Sequence, residues 1–244
     1  MGVKGAGMIA IHAEPKIMWQ GPFADKMLRG LKALGIPCRI TQSRCRETDR
    51  AVLLGTTFWR DVEATGDYML VDRCSFFDTD KWVSLVWNGH GRRGNHMVPE
   101  NRVSRWHPTP EWWRTGSKRV LCGQHGAYSP HYERPEDWYS TVDATHFRGH
   151  PAGDNPTRLP RARNWDDVGV AITLNSSVAV DAVIAGVPAV TLDEGAMAWD
   201  VTSHDQNEII TPDRKPWLEW LSWTQWNHDE IRDGEPIRHL FEAI

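Results

Sequence analysis

Cysteine is scarce: Cys38, Cys45, Cys74 and Cys122 are the only four in 244 residues, and no two form a CxxC pair. Thiols scattered in this way build neither a disulfide framework nor a zinc ribbon, so reduced cysteines are expected. Long apolar runs are missing as well. The longest, around Val168 to Val190, is interrupted by Asn175, Ser176, Ser177, Asp181, Gly186 and Pro188, which excludes it as a membrane span. The opening residues MGVKGAGMIAIHAEPK lack the apolar core and small-residue cleavage site of an export signal. A cytoplasmic address with no membrane partner is therefore expected.

An excess of positive charge is also absent. The net charge is −4, so no global field advertises a polyanionic partner. Locally the balance differs: His90 to Arg119 holds seven Arg and Lys against Glu100 and Glu111, whereas Asp193 to Ile244 holds twelve acids against four bases. Tyr and Phe are few, four and six, beside fourteen Trp. Rings in that number fill a core and a lobe interface, or stack on flat ligands such as a nucleobase or a sugar face. With 40% hydrophobic and 25% charged residues, the chain is neither disordered, collagenous nor a coiled coil, and it is long enough for one large domain or two small lobes.

Strand-like and helix-like pieces alternate from the start. Met8 to His12 reads as a strand, and Ala24, Met27, Leu28, Leu31 and Leu34 mark one buried helix face that Gly35 ends. Strands follow at Pro37 to Thr41, Val52 to Leu54, Tyr68 to Val71 and Trp82 to Trp87. Residues 88–117 then lose all periodicity in a run of Gly, Arg, His, Pro and Trp, and a loop of that length inside a compact domain is usually functional. A second series restarts with strands at Lys118 to Cys122, His146 to Arg148, Gly169 to Leu174 and Ala189 to Leu192, and a nearly apolar helix over Ser176 to Ala185 that Gly186 closes. Asp137 to Val142 reads as part of a helix. The alternation predicts an α/β fold with doubly wound parallel sheets: a first lobe over 1–117, a second over 118–210, and a helical segment over 211–244. In that last segment Trp217, Trp220, Trp223 and Trp226 recur every third residue. On a helix they sweep about 180° of surface, which predicts one Trp-rich helix touching both lobes.

Three polar turns follow strands of the second series: Gly123, Gln124, His125 and Gly126; Gly149, His150 and Pro151; and Asn175, Ser176 and Ser177. In a doubly wound sheet all three lie at the carboxyl edge, where ligands bind. The third also opens a helix, whose first amides and hydroxyls suit a phosphate, although a plain capping pair has the same sequence. Glu194, in LeuAspGluGly after the last strand, is placed to bind ribose or sugar hydroxyls, or is a solvated loop acid.

The order of a GlnHis turn, a HisPro turn and NSS followed by VAVDAVIAGVPAVTL resembles the donor-binding lobe of GT-B glycosyltransferases, nearest to the capsule-polysaccharide and sialyltransferase-like enzymes. More loosely, the chain resembles phage transferases that modify DNA. The likeness covers roughly residues 118–195. It implies a compact GT-B-like fold of two Rossmann-like lobes facing a cleft, with His150, Ser176 and Ser177 as nucleotide-phosphate contacts and Gln124, His125 and Asn175 beside them. It implies a nucleotide-sugar donor, a UDP-sugar before a CMP-sugar, and no metal or other cofactor. The absence of HExxH, of a strand-flanked DxD and of paired Cys/His clusters agrees with that. The short length suggests a pared-down viral enzyme, at work in the host cytoplasm.

The general base is sought in the first lobe. The relatives carry an acidic-Gly motif, and this chain has Asp72 in ValAspArgCys without the Gly. Asp72 is the first candidate, with His12 and His96 beside it and His90 a further rival; an ion pair of Asp72 with Arg73 or Arg60 is the structural alternative. For the acceptor, Arg92, Arg93, Arg105, Trp106, Trp112 and Trp113 mix phosphate-tracking cations with stacking rings. That mixture points to double-stranded DNA carrying a 5-hydroxymethylpyrimidine such as 5-hydroxymethylcytosine, flipped out for reaction. The alternatives are a bacterial surface glycan or small acceptor, and a non-catalytic nucleotide- or DNA-binding module.

Overall fold

The computed structural model describes residues 8–14, 16–42, 50–55, 68–73, 75, 81–96, 98, 107–124, 138–149 and 157–241. The chain divides into two compact units. The first comprises Met1–His90, Gly94–Arg102 and Trp223–Ile244, the second Gly91–Arg93 and Val103–Ser222. The 103–117 stretch thus goes with the second unit, and the chain returns to the first at Trp223.

The first unit is built on a six-stranded sheet. Its strands are β1 (Ile9–His12), β2 (Cys38–Thr41), β3 (Arg50–Leu54), β4 (Tyr68–Arg73), β5 (Trp82–Trp87) and β10 (Gln225–Asn227), in the order β10-β5-β4-β3-β1-β2. The pairs among β1 to β4 are parallel, while β5 runs antiparallel to β4 and β10 antiparallel to β5. The central strands IAIH, RAVLL and YMLVDR are apolar at consecutive positions because both faces of the sheet are covered. Ile9, Ile11, Val52, Leu54, Met69 and Val71 pack with Phe23, Met27 and Leu31 of α1 (Gln20–Ala33), with Ile231 of α4 (His228–Arg232) and with Ile237 of α5 (Glu235–Phe241). Ala51, Leu53, Tyr68, Leu70 and Val86 form a separate core on the opposite face. Gly35, at φ +71°, takes the left-handed conformation that ends α1 where the sequence predicts. At the other end of the unit Asn227 caps α4, its side chain accepting from the Asp229 and Glu230 amides while Glu230 accepts from the Asn227 amide.

The second unit holds a four-stranded, wholly parallel sheet of β6 (Lys118–Cys122), β7 (His146–Arg148), β8 (Val168–Thr173) and β9 (Ala189–Thr191), in the order β7-β6-β8-β9. Helix α2 (Val178–Ile184) crosses between β8 and β9 and packs on both. Neither outer strand is left open. The Phe147 amide bonds the Pro160 carbonyl at 2.8 Å and Ala162 returns to Phe147, while Thr191 bonds Ser203 on the far side. Residues 107–117 run extended against the end of α2, with the Glu111 amide on the Ile184 carbonyl and the Arg114 amide on that of Gly186, both 2.8 Å. The nearly buried Arg214 fastens this strap: its Nη1 and Nη2 donate at 2.7 Å to the carbonyls of Val183 and Glu111, and its guanidinium lies 4.0 Å over the Trp113 ring. Gly186 sits at φ +75°, and a Cβ there would stand 2.1 Å from the Trp112 carbonyl oxygen.

Strand and helix positions follow the sequence expectations closely, with two exceptions. The segment 137–142 is a short 3-10 turn, Trp138–Thr141. The single Trp-rich helix is in fact two elements: α3 (Lys215–Ser222) carries Trp217 and Trp220 in the second unit, whereas Trp226 lies on β10 of the first. A strand lets Trp226 reach the core of the six-stranded sheet by pairing with Val83, which a continued helix would forgo. No helix among the described residues is long and apolar enough to cross a membrane.

The packing yields a sign reversal at Gly30, inside α1. Replacing glycine by alanine in a helix usually stabilises by about 0.5–1 kcal/mol. A Cβ on Gly30, however, would meet the Ile231 carbonyl oxygen at 2.2 Å. Gly30→Ala is expected to destabilise by about 1–3 kcal/mol, read as a lowered midpoint in urea or thermal unfolding.

Candidate functional site at the carboxyl edge of the parallel sheet

All four strands of the second unit end at the same edge. Cys122 is level with Arg148, Leu121 with Ile172, and Thr173 with Thr191. The turns that follow them are held to one another. The Gly123 amide donates to the Arg148 carbonyl at 2.7 Å, and the Leu192 amide to that of Thr173 at 3.1 Å. Gln124 is clasped by Tyr139, whose hydroxyl accepts from the Gln124 amide at 3.0 Å and donates to its carbonyl at 3.3 Å. The Gln124 side-chain oxygen in turn accepts from the Asn175 amide at 3.5 Å.

Asp193 is the centre of this edge. Its Oδ1 accepts from Asn175 Nδ2 at 3.2 Å, from the Gly195 amide at 2.8 Å and from Arg93 Nη1 at 3.0 Å, while Oδ2 accepts from Arg93 Nη2 at 2.9 Å. Arg93 Nε donates to Glu194 at 3.2 Å. Burial works to lower the Arg93 pKa, but the hydrogen bonds and charges of Asp193 and Glu194 raise it, so the cation is secure. Beside it, Arg92 makes a two-point pair with Asp200 at 3.1 and 2.7 Å.

The helix at this edge is shorter than its apolar sequence suggests, seven residues, and its first amides are occupied. Ala179 bonds the Ser176 carbonyl, Val180 and Asp181 that of Ser177, and the Val178 amide reaches Ser176 Oγ at 3.4 Å. What the turn presents is the exposed Ser177 hydroxyl, which has no hydrogen-bond partner among the described residues. His125 and His150 lie outside the described residues.

In the first unit, sheet register places the base candidates. His12 is level with Leu53 and Leu70, and Asp72 is two residues beyond Leu70 on the same face. His96 bonds the Leu85 carbonyl at 3.2 Å through Nδ1, and Leu85 is level with Val71. His12 and His96 are buried, at 0% and 6% exposure, whereas the Asp72 side chain is 42% exposed. Its partners are the Arg73 amide at 2.8 Å and His90 Nε2 at 3.4 Å. Partial burial works to raise the Asp72 pKa; the His90 hydrogen bond and charge, with the Arg73 amide and charge, outweigh it and hold the carboxyl below its ordinary value.

The residues considered for nucleic-acid contact are spread over different roles. Arg92 and Arg93 are consumed by ion pairs, Trp113 lies beneath Arg214 with its Nε1 on the Pro212 carbonyl, and Trp112 is 92% exposed. Arg105 and Trp106 lie outside the described residues. Sequence reading missed Asp193 and Tyr139. Asp193 did leave a signal: Asp followed two residues on by Gly at a strand end is the pattern of an Asx turn, and the Gly195 amide completes it. Among the described residues no three His, Cys, Asp or Glu side chains cluster as a metal site.

No model of a known protein family matches the chain, and no curated protein does. Among solved structures it is similar to Thermosulfurimonas dismutans KpsC, a beta Kdo 2,7 transferase, at 12% sequence identity and a TM-score of 0.48, covering 95% of this chain and 99% of that one. A likeness of that size carries no information about individual residues.

Two measurements check the site. In a double-mutant cycle of Arg93→Ala and Asp193→Ala, a coupling of about 1–2 kcal/mol is expected for a half-buried two-point pair; additive effects would mean the pair does not hold the turn. Carboxyl NMR should place the Asp72 midpoint below the ordinary aspartate value of about 3.9, and His90→Gln should raise it. Because the folded-state value is depressed, the stability this pair adds is present above the unfolded value and is lost as pH falls through the folded one. The difference between wild type and His90→Gln should therefore fade in acid.

Proposed function

We propose that the chain is a glycosyltransferase that moves a sugar from a nucleotide-sugar donor, a UDP-sugar before a CMP-sugar, to a hydroxyl acceptor. The observation that carries this assignment is the convergence at one parallel-sheet edge of Gln124, Asn175 and the Ser176–Ser177 turn, tied to Asp193 and Glu194. That edge is where doubly wound sheets bind ligands. The motif order over residues 118–195 resembles GT-B donor lobes and supports the same assignment.

In this scheme the Ser176 and Ser177 hydroxyls and nearby amides stabilise charge on the departing phosphate, and no step calls for a metal. Glu194, next to Asp193 and bonded to Arg93 Nε, is the proposed contact for ribose or sugar hydroxyls. Asp72 of the first unit is the proposed proton acceptor. Its depressed pKa keeps it ionised at neutral pH, and it keeps contact with solvent where His12 and His96 do not.

A glycan or small hydroxyl compound is favoured as acceptor over DNA. Tracking phosphates needs uncommitted cations, and Arg92 and Arg93 are neutralised by Asp200, Asp193 and Glu194, while Arg114 pairs with Glu111.

The test is a panel of nucleotide sugars incubated with glycan, small-molecule and hydroxymethylated-DNA acceptors, with products read by mass. UDP or CMP is expected to raise the melting temperature of the wild type, and Ser176→Ala with Ser177→Ala to abolish most of that shift. Nucleotide binding without sugar loss from any donor would make the chain a binding module. Indifference to every nucleotide would remove the assignment.

A further inference from the structure

Arg148 is the last residue of β7 and stands at the carboxyl edge, level with Cys122 of β6. Its guanidinium lies 4.4 Å from the centre of the Trp165 ring, and among the described residues no hydrogen bond or ion pair holds it. Several other arginines of this unit are engaged. Arg92 and Arg93 are paired with acids, Arg119 donates to the carbonyls of Asp143 and Gln206, and Arg214 donates to those of Val183 and Glu111. Arg148 is half-buried, and its planar fork of donors lies over the indole with no acceptor among the described residues.

The Arg148 charge acts on the Asp181 carboxyl of α2 without an ion pair closing between them. Although Asp181 keeps contact with solvent, the protein around it pushes its carboxyl up to about 6, and burial raises the Cys122 thiol to about 12. Among the described residues neither group neutralises the Arg148 charge. β7 is two strand spacings from β8, so Arg148 stands about 10 Å from the end of β8, and Gln124 lies in the turn after the strand between.

We infer that Arg148 is an oxyanion-binding residue of the carboxyl-edge site: its guanidinium, held flat on Trp165, takes a phosphate group of the ligand bound there. Assigning that phosphate to a nucleotide rests on the function proposed above; the capture of phosphate does not. A guanidinium meets two phosphate oxygens at once, which an ammonium cannot do.

Calorimetric titration of the full chain with UDP, CMP and inorganic pyrophosphate tests this in wild type, Arg148→Gln and Arg148→Lys. Arg148→Gln is expected to weaken every probe that binds wild type by tenfold or more, and Arg148→Lys by less. Pyrophosphate binding that depends on Arg148, with neither nucleotide bound by wild type, keeps Arg148 as the phosphate residue and removes the nucleotide-sugar assignment. A loss below tenfold in Arg148→Gln, or no binding of any probe to wild type, overturns the inference. In case Arg148→Gln unfolds, the Arg148 Nε–H resonance of folded wild type gives a second readout: it should shift on adding pyrophosphate, and a stationary resonance overturns the inference equally.

Discussion

Parallel pairing is the constraint on which the second unit depends. Because β6, β7, β8 and β9 all run the same way, each must be followed by a turn at the same edge and by a crossover back to the other. Turn residues 51 and 18 positions apart are thereby delivered to one line: Gln124, Asn175 and Asp193 become hydrogen-bonded neighbours without any local sequence relation. Bonds from one turn to the next strand end, such as Gly123 to Arg148, keep that line in register. A site assembled in this way inherits the rigidity of the ladder beneath it, and that is why polar side chains on turns can hold a ligand in a fixed geometry.

Charge reinforces the same edge. The basic stretch around residues 90–119 and the acidic C-terminal part look like opposed fields in the linear chain, and folding joins two of the arginines to three of the acids. Arg92 meets Asp200, and Arg93 meets Asp193 and Glu194. Asp193 is 12% exposed and accepts from four donors, so its carboxylate is fully employed and the Asn175 and Gly195 segments are fixed through it. Arg214 uses its charge differently, capping the carbonyls at the end of α2 and stacking on Trp113, and so fastens the 107–117 strap to the unit. Among these arginines Arg148 stands apart. It has an aromatic support and, among the described residues, no acceptor.

The first unit divides the roles of histidine. His12 and His96 are set deep in the six-stranded sheet, His96 through a bond to the Leu85 carbonyl, while His90 emerges after β5 to meet Asp72. Position on the strand decides this. His12 lies within a central strand covered on both faces and is buried, whereas His90, three residues past the end of β5, keeps some solvent access.

Strands, the long helix and the sheet-edge location of the polar turns were legible in the sequence because each depends on neighbours a few positions away: apolar runs between Gly and Pro, the Ala24–Leu31 spacing, Gly35 and Gly186 as stops. The Trp217–Trp226 series misled for the same reason. Three-residue spacing fits a helix locally, but pairing with β5 is worth more to Trp226 than another helical turn. Which acid holds Arg93, which histidine meets Asp72 and which arginine is left with donors to offer could not be read in advance. Those partnerships join residues as much as a hundred positions apart, and only the order and direction of strands in a folded sheet bring them together.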